Sequence, residues 1–279
     1  MKPCLRTSHV KPFVKRHKND AADAEAVAEA AQRPGMRTVA VKSAKQQAQA
    51  MSFRTRTLLV GQRTQLVNAS CCKHAFGVTR GHLSEHGILA GRGVGNIARL
   101  AAMLDAAEVP SLVKEMADLY FAQIERISAE IAALDRRTAA TAKASDDMRR
   151  QQTASGIGPV CAMAIATFAP GMREFRRGRD FAAWLGLVPR QLSSGGRQKL
   201  GRTSKTGQRD IRRLLVAGAM SIVHWRGRDG GRPGSWLSRM PARKPRMLVA
   251  VALANKMARM VWAMLVRNED CRDPVGAVC

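Results

Sequence analysis

The chain has 279 residues and carries 47 lysines and arginines against 21 acids, a formal net charge of +26. This imbalance favours a polyanionic partner, with nucleic acid as the first candidate and an acidic membrane surface as the second. Because aromatic residues are only 4% of the chain, electrostatic attraction should contribute more to binding than base stacking. The cysteines show no CxxC spacing, so neither a zinc site nor a disulfide framework is expected. The sequence also has no signal-peptide core and no apolar run approaching the ~20 residues of a membrane span, so secretion and membrane insertion are not expected.

The N-terminal region predicts strands alternating with helices. Residues 10–18 predict a short strand that runs into a basic loop, and residues 36–42 predict a second strand. Helices are expected at 19–32 and 43–68. Asn19 or Asp20 would cap the first helix, and Pro34 would end it. Asp20 and Asp23, spaced i and i+3, share a helix face, and two such carboxylates bind Mg²⁺ when other acids complete the shell. The competing interpretation is an ordinary helix with acids in its first turn.

The middle of the chain predicts a connector followed by long helices. Residues 69–95 are glycine-rich and irregular, and a helical pattern returns at Ile97. Apolar residues then alternate four and three apart, in an a/d seam of about three heptads, at Val113, Ala117, Tyr120, Ile124, Ile127, Ile131 and Leu134. Two interpretations stay open: a long helix packed inside its own domain, or a coiled coil within the chain or between subunits.

The sequence GIGPV at 156–160 predicts a helix–hairpin–helix turn. In such a turn the amides around Gly156 and Gly158, together with the next helix N-terminus, face a phosphate. A plain helix connection explains the same residues equally well.

Three further helices are predicted. The first covers 178–186, the second begins after Ser204 or Thr206, and the third covers 247–266 and should be buried because it is apolar nearly all round. Residues 226–245 are predicted to form an exposed basic loop.

Within residues 187–213, two adjacent serines and two adjacent glycines, at 193–196, lie in the middle of a run of cations. Between 173 and 213, twelve arginines and lysines face three acids. The simplest interpretation is a clamp on the DNA backbone, in which serine hydroxyls donate hydrogen bonds to phosphate and glycines allow close approach. In the second, Ser193 or Ser194 attacks phosphate and forms a protein–DNA ester, while arginines stabilise the transition state. The cations assigned to nucleic acid are Arg190, Arg197, Lys199, Arg202, Lys205 and Arg209.

Four stretches together resemble a transposase of the insertion-sequence 110 family: KNDAADAEA at 18–26, TASGIGPV at 153–160, FAAWLGLVPRQLSSGGRQKLGRTSKTGQRDIRRLLVAGA at 181–219, and ALANKMARMVWAML at 252–265. The resemblance runs through nearly the whole chain in order. It implies a mostly α fold with four parts: the remnant of an α/β RuvC-like (RNase H-like) domain and its following helix at 1–66, connector and coiled-coil helices at 67–149, an all-α C-terminal transposase domain at 150–267, and a tail at 268–279.

The resemblance also implies an activity, DNA transposition through a serine–DNA intermediate. Ser193 or Ser194 would be the nucleophile, with a slight preference for Ser193. Asp20 and Asp23 would be the last two acids of an Asp-Glu-Asp-Asp set that binds Mg²⁺. The expected partners are DNA, an element-encoded guide RNA and further copies of the chain, in the bacterial cytoplasm and on the nucleoid when DNA is bound.

The chain departs from the family pattern at its N-terminus. Only 19 residues precede Asp20 and none is acidic, so the first Asp and the Glu are missing, and SCCKHAFGVT at 70–79 looks inserted into a helix. The expectation is an N-terminally truncated copy with impaired catalysis. The alternative is an inactive remnant that binds nucleic acid through residues 150–265. A basic coiled-coil structural protein fits the heptads but leaves the serine–glycine loop unexplained.

Overall fold

The computed structural model describes residues 4–5, 10–14, 19–34, 36, 38–39, 41–69, 83, 85–89, 93–228, 236–240 and 243–271. In this part of the chain the protein is mostly helical, which confirms the predicted fold class at that level, and its strands form two short antiparallel pairs. Contacts group the chain into two compact units, Met1–Gln49 with Arg150–Cys279, and Ala50–Arg149. This grouping does not decide the predicted domain boundaries, which stay predictions.

The N-terminal segment contains four elements: β1 (Cys4–Leu5), a 3-10 turn (Lys11–Phe13), α1 (Asp20–Gln32) and β2 (Thr38–Val39). β1 pairs with β2 in antiparallel register, with Cys4 opposite Val39. The strand predicted at 10–18 is wrong over residues 11–13, because Pro12 fixes φ near the helical value and has no amide hydrogen for a strand ladder. Residues 15–18 lie outside the described part. Two strands of two residues do not identify a RuvC-like sheet.

Helix α1 begins and ends where local chemistry dictates. The Asn19 side chain accepts a hydrogen bond from the Ala22 amide at 2.6 Å, which caps the first turn. The helix ends at Gln32 because Arg33, next to Pro34, is extended with φ −76° and ψ 128°. Its buried residues pack in a small apolar cluster, formed by Val10, Phe13, Ala26, Ala30 and Met36.

The Ala50–Arg149 unit contains most of α2 (Ala44–Ala69) and all of α3 (Ile97–Asp105) and α4 (Ser111–Lys143). Arg56 on α2 donates two hydrogen bonds to the Asp135 carboxylate on α4. Along the predicted heptad seam of α4 every third or fourth residue turns inward, with Ala117, Ile124 and Ile131 buried and the other four positions half-buried. The seam therefore faces a core; a coiled coil stays a prediction, and the segment 70–79 lies outside the described residues.

The C-terminal helices form the main core. They are α5 (Asp146–Gln152), α6 (Pro159–Phe168), α7 (Gly178–Trp184), α8 (Arg209–Arg228), α9 (Trp236–Arg239) and α10 (Arg246–Arg267). α10 packs against α8 and α7, and α8 packs against α6. The fully buried side chains include Phe181, Ile211, Leu215, Leu253 and Met257. The Trp262 indole donates to the carbonyls of Met172 and Phe175 at 3.1 and 3.2 Å, which ties α10 to the segment before α7.

Helix α10 departs from the sequence expectation about membranes. Among the described residues it is one helix that is long and apolar enough to cross a bilayer, judged by length and composition alone. Eight of its residues, from Val249 to Met264, are buried in the protein core. A core helix passes the same test, so this finding is weak evidence for a membrane. The prediction of burial fails in the first turn of the helix, where Arg246, Met247 and Leu248 are exposed.

Two cysteines in the described part have different states. Cys161 on α6 is a free, buried thiol, and burial raises its pKa to about 12. Cys271 is disulfide-bonded, which the sequence spacing did not predict.

Candidate nucleic-acid interface

The serine–glycine segment forms a β-hairpin. Strand β3 (Pro189–Gln191) pairs with β4 (Leu200–Thr203) in antiparallel register, and Ser194 forms an isolated bridge with Arg197 beyond the strands. At the tip, the Arg197 amide donates to the Ser194 carbonyl at 3.1 Å. Gly195 and Gly196 have φ values of +56° and +76°. Two central residues with positive φ make a type I′ turn, so the glycines are required by the hairpin itself.

The two serines have different surroundings. The Ser193 hydroxyl accepts a hydrogen bond from the Lys199 amide across the hairpin at 3.3 Å. Within the described residues the Ser194 hydroxyl makes no hydrogen bond, and both side chains are exposed. The structure thus distinguishes the two candidate nucleophiles and leaves the choice between them open.

The predicted phosphate-binding cations cover the hairpin and the start of α8. All six are exposed: Arg190, Arg197, Lys199, Arg202, Lys205 and Arg209. Arg190 also donates to the Ser204 carbonyl at 3.3 and 3.4 Å, so its guanidinium is partly engaged at the base of the hairpin. From Phe181 to Arg209 the sequence has no acid. This surface would attract phosphates, but the hairpin contains no carboxylate or imidazole to take a proton from serine.

The base of the hairpin is held by a residue that sequence reasoning did not single out. The Arg212 guanidinium donates to the carbonyls of Leu185 at 2.8 Å and Thr206 at 3.0 Å, one on each side of the hairpin. Burial, and secondarily the charge of Arg209, lowers the pKa of Arg212. In the sequence it is one of twelve cations, and nothing local marks it as different. It is a positioning residue for the hairpin.

Two glycines, Gly186 and Gly207, allow the backbone segments that enter and leave the hairpin to pack directly against each other. Gly186 has φ +71°, and a Cβ there would overlap the Thr206 carbonyl oxygen. Gly207 has φ +88°, and a Cβ there would overlap the Trp184 carbonyl oxygen. Since L side chains rarely adopt such φ values and no space is left, both positions require glycine. The hairpin therefore projects from a rigid base formed by the end of α7 and the start of α8.

The GIGPV turn has the predicted helix–turn–helix shape, but its two glycines do different things. Gly156 has φ +80°, and a Cβ there would lie 2.7 Å from Ile222 Cδ1 and 3.0 Å from the Gly218 carbonyl oxygen. It is therefore needed for close packing of the turn against α8. Gly158 precedes α6, is exposed, and has open space around its Cα. Both glycines are exposed, but only Gly158 has open space at its Cβ position, and phosphate binding stays a prediction.

The two carboxylates predicted for Mg²⁺ lie on a separate element from the serines. Asp20 and Asp23 are in the first turn of α1, where Asp20 is exposed and Asp23 half-buried. Among the described residues no group of three or more His, Cys, Asp or Glu side chains could hold a metal ion. The pair does not make a complete magnesium shell by itself, so no chemical step is assigned to a metal here.

Comparison with known proteins gives one consistent result. A family model described as "Transposase IS116/IS110/IS902 family" matches residues 148–231, which include the GIGPV turn, the hairpin and α8. A probable family 20 transposase of Pseudomonas aeruginosa is 43% identical over 95% of this chain and 77% of the relative. The putative transposase y4pF/y4sB of Sinorhizobium fredii is 38% identical over 95% of this chain and 67% of the relative.

A third relative extends the comparison to a named insertion sequence. The transposase for insertion sequence element IS1111A of Coxiella burnetii is 34% identical over 96% of this chain and 72% of the relative. These identities extend over nearly the whole chain, well beyond the segment that the family model matches. The protein therefore belongs to the IS116/IS110/IS902 family of transposases.

Proposed function

We propose that this transposase binds DNA through the β3–β4 hairpin and recombines it through a covalent serine–DNA intermediate. The observation that carries the proposal is the hairpin tip, where Ser193 and Ser194 are exposed and flanked by cations without a nearby acid in sequence. A hydroxyl on a rigidly based ribbon reaches a phosphate without disturbing the core. The alternative, a clamp that binds backbone phosphates only, uses the same cations but needs no covalent step.

The chemical step is a transesterification. The serine oxygen forms a bond to phosphorus, one bridging P–O bond of the DNA breaks, and the departing DNA oxygen takes up a proton. The serine proton passes to a base that the hairpin does not contain. Arg197, Lys199 and Arg202 are exposed and would stabilise the charge that develops on the phosphoryl oxygens. Reversal of the step on a second DNA strand would complete strand exchange.

The remaining partners follow from the same surface. DNA and an element-encoded guide RNA would both neutralise a chain with a net charge of +26. Asp20 and Asp23 would contribute two carboxylates to a Mg²⁺ site whose other ligands the described residues do not supply. Two DNA ends must be held together during exchange, so we expect a homo-oligomer. We expect the protein to act in the bacterial cytoplasm, on the nucleoid, and to have no membrane partner.

The test is a covalent adduct on denaturing gels. The full chain is incubated with end-labelled DNA from the sequences that flank its gene, and adducts are resolved in SDS. We expect a slow-migrating labelled band that either Ser193→Ala or Ser194→Ala abolishes. Ser204→Ala is the matched control, since this serine lies at the hairpin base and its hydroxyl accepts from Thr206 at 3.1 Å. An adduct that survives both single alanine variants rules out the hairpin serines.

A second candidate function is nucleic-acid binding without strand cleavage. It is favoured by the absence of a complete metal-binding group in the described part of the chain. In that case the chain would bind labelled DNA with strong salt dependence and form no adduct, and Ser193→Ala and Ser194→Ala would bind like the wild type. The same gel, run beside a binding titration, separates the two functions.

A further inference from the structure

A cavity of about 300 Å³ lies at the C-terminal end of α8 and shares no residue with the hairpin, the GIGPV turn or the Asp20–Asp23 pair. Its lining is Met220, Ser221, Val223, His224, Trp225 and Arg246. The set combines an apolar floor with a hydroxyl, two aromatic rings and a guanidinium. Cavities of this size are at the small end of those that hold small ligands, and a few convergent polar groups set their specificity.

Trp225 is the unusual member of this lining. Its side chain is 62% exposed, whereas the other three tryptophans are half-buried. Its indole N–H has no hydrogen-bond partner in the described part of the protein, while that of Trp262 has two carbonyls. The His224 ring stands edge-on to it, with 6.1 Å between ring centroids and an interplanar angle of 83°. One face of a large aromatic ring is thus left open beside a cavity.

The charge around the cavity indicates an anionic occupant. Between residues 211 and 268 the sequence has twelve lysines and arginines and a single acid, Asp229. Arg246 lines the cavity, and Arg243 and Lys244 just before it are also exposed. An apolar protein segment would gain nothing from this charge. A nucleotide has both parts that fit, a flat π face for the indole and a phosphate for the guanidinium.

We propose that this cavity binds an unpaired nucleotide of single-stranded DNA or RNA, with its base stacked on Trp225 and its phosphate paired with Arg246. The site lies at the opposite end of α8 from the serine hairpin. It rests on the proposed function only in that the substrate is nucleic acid. Its role is to hold a displaced or guide strand, whereas the hairpin binds the strand that reacts. Low overall aromatic content is consistent with one dedicated stacking residue.

The experiment measures affinity for single strands. Oligo(dT), oligo(rU) and a duplex of equal length are titrated into the full chain, with fluorescence anisotropy of the labelled oligonucleotide and tryptophan emission as readouts. We expect Trp225→Ala to weaken single-strand binding about tenfold and to remove most of the emission quenching, and Trp225→Phe to retain most of the affinity. Leu248→Ala is the control, an exposed apolar residue near the cavity that does not line it. The stronger of the two single strands identifies the source of the bound nucleotide.

Arg246 is tested separately through salt dependence. Arg246→Gln should reduce the magnitude of the slope of log affinity against log salt by about 0.7, as expected for one lost phosphate contact on a single strand. Arg267→Gln, exposed at the other end of α10, is the matched control and should leave the slope unchanged if only the cavity engages the strand.

Failure of this proposal is distinguishable from failure of the proposed function. If Trp225→Ala binds single strands like the wild type, the cavity does not hold a base, whatever the serine adduct shows. If Trp225→Ala weakens duplex and single-strand binding equally, stacking of an unpaired base is also refuted. If the variant changes only the oligomeric state in light scattering, the cavity is a contact between copies and the proposal is wrong.

Discussion

Where the GIGPV turn contacts α8, replacing a helix glycine by alanine should destabilise the protein, although helix propensity alone would favour alanine. Gly218 lies inside α8, and a Cβ there would overlap the Gly156 carbonyl oxygen and approach its carbonyl carbon to 3.0 Å. In an open helix interior, alanine is favoured over glycine by about 1 kcal/mol. Overpacking costs about 1–3 kcal/mol, and backbone atoms yield less than side chains do. We therefore expect Gly218→Ala to lower the free energy of unfolding by about 2 kcal/mol net.

The matched control for this prediction is Gly61→Ala. Gly61 lies in the interior of α2, and a Cβ there meets nothing within 4 Å, so this substitution should raise stability by about 0.5–1 kcal/mol. Both variants are compared by urea unfolding followed by far-UV circular dichroism. A Gly218→Ala protein as stable as the wild type, or more stable, would refute the close approach of the turn to α8. Opposite signs for the two glycines would establish it.

Further outcomes are expected at three residues, Arg212, Cys161 and Asn19. Arg212→Gln loses charged hydrogen bonds to the carbonyls of Leu185 and Thr206, so the free energy of unfolding measured in urea should fall by about 2–4 kcal/mol. An unchanged urea midpoint would show that Arg212 does not hold the hairpin base. The Cys161 thiol has a pKa raised from 9.0 to about 12, so it should resist alkylation at pH 8 until urea unfolds the chain, as mapped by mass spectrometry. Because the unfolded thiol ionises first, this group should lower stability as pH rises above 9.0, and it should have no effect below that pH. Asn19→Ala should cost about 1 kcal/mol through loss of the cap, whereas Asn19→Asp should retain it in the same unfolding assay.

The helices were predictable because their signals are local. The Asn19 cap acts over three residues, and Ser43 caps α2 through a reciprocal pair of hydrogen bonds with Gln46, at 3.2 and 3.0 Å. The family resemblance also rested on local blocks of sequence, and comparison with known proteins confirms it. Where one residue overrides its neighbours, prediction fails: residues 10–18 were expected to begin as a short strand, but a 3-10 turn forms at Lys11–Phe13 around Pro12.

The site was less predictable because its geometry depends on contacts between distant residues. Ser193 and Ser194 were found from residue type, and Gly195–Gly196 is a recognised hairpin signal, but the flanking strands Pro189–Gln191 and Leu200–Thr203 contain no buried residue and show no hydrophobic alternation. The packing role of Gly156 depends on Gly218, more than sixty residues later in the chain. No local pattern reveals such a pair.

The electrostatics of the hairpin define what its chemistry still requires. Arg197, Lys199 and Arg202 lie close in sequence to Ser193 and Ser194 and favour a phosphate beside them, which lowers the cost of the charge that develops during attack. The same cations provide no proton acceptor, and a serine hydroxyl is a weak nucleophile without one. Every residue from Pro189 to Leu200 is exposed, so the ribbon offers no enclosed site in which water is excluded. For the proposed reaction, the base and the enclosure would therefore have to come from another element, from the bound nucleic acid or from a second copy of the chain. In that proposal the hairpin supplies the hydroxyl and the cations, and the reaction depends on what closes over them.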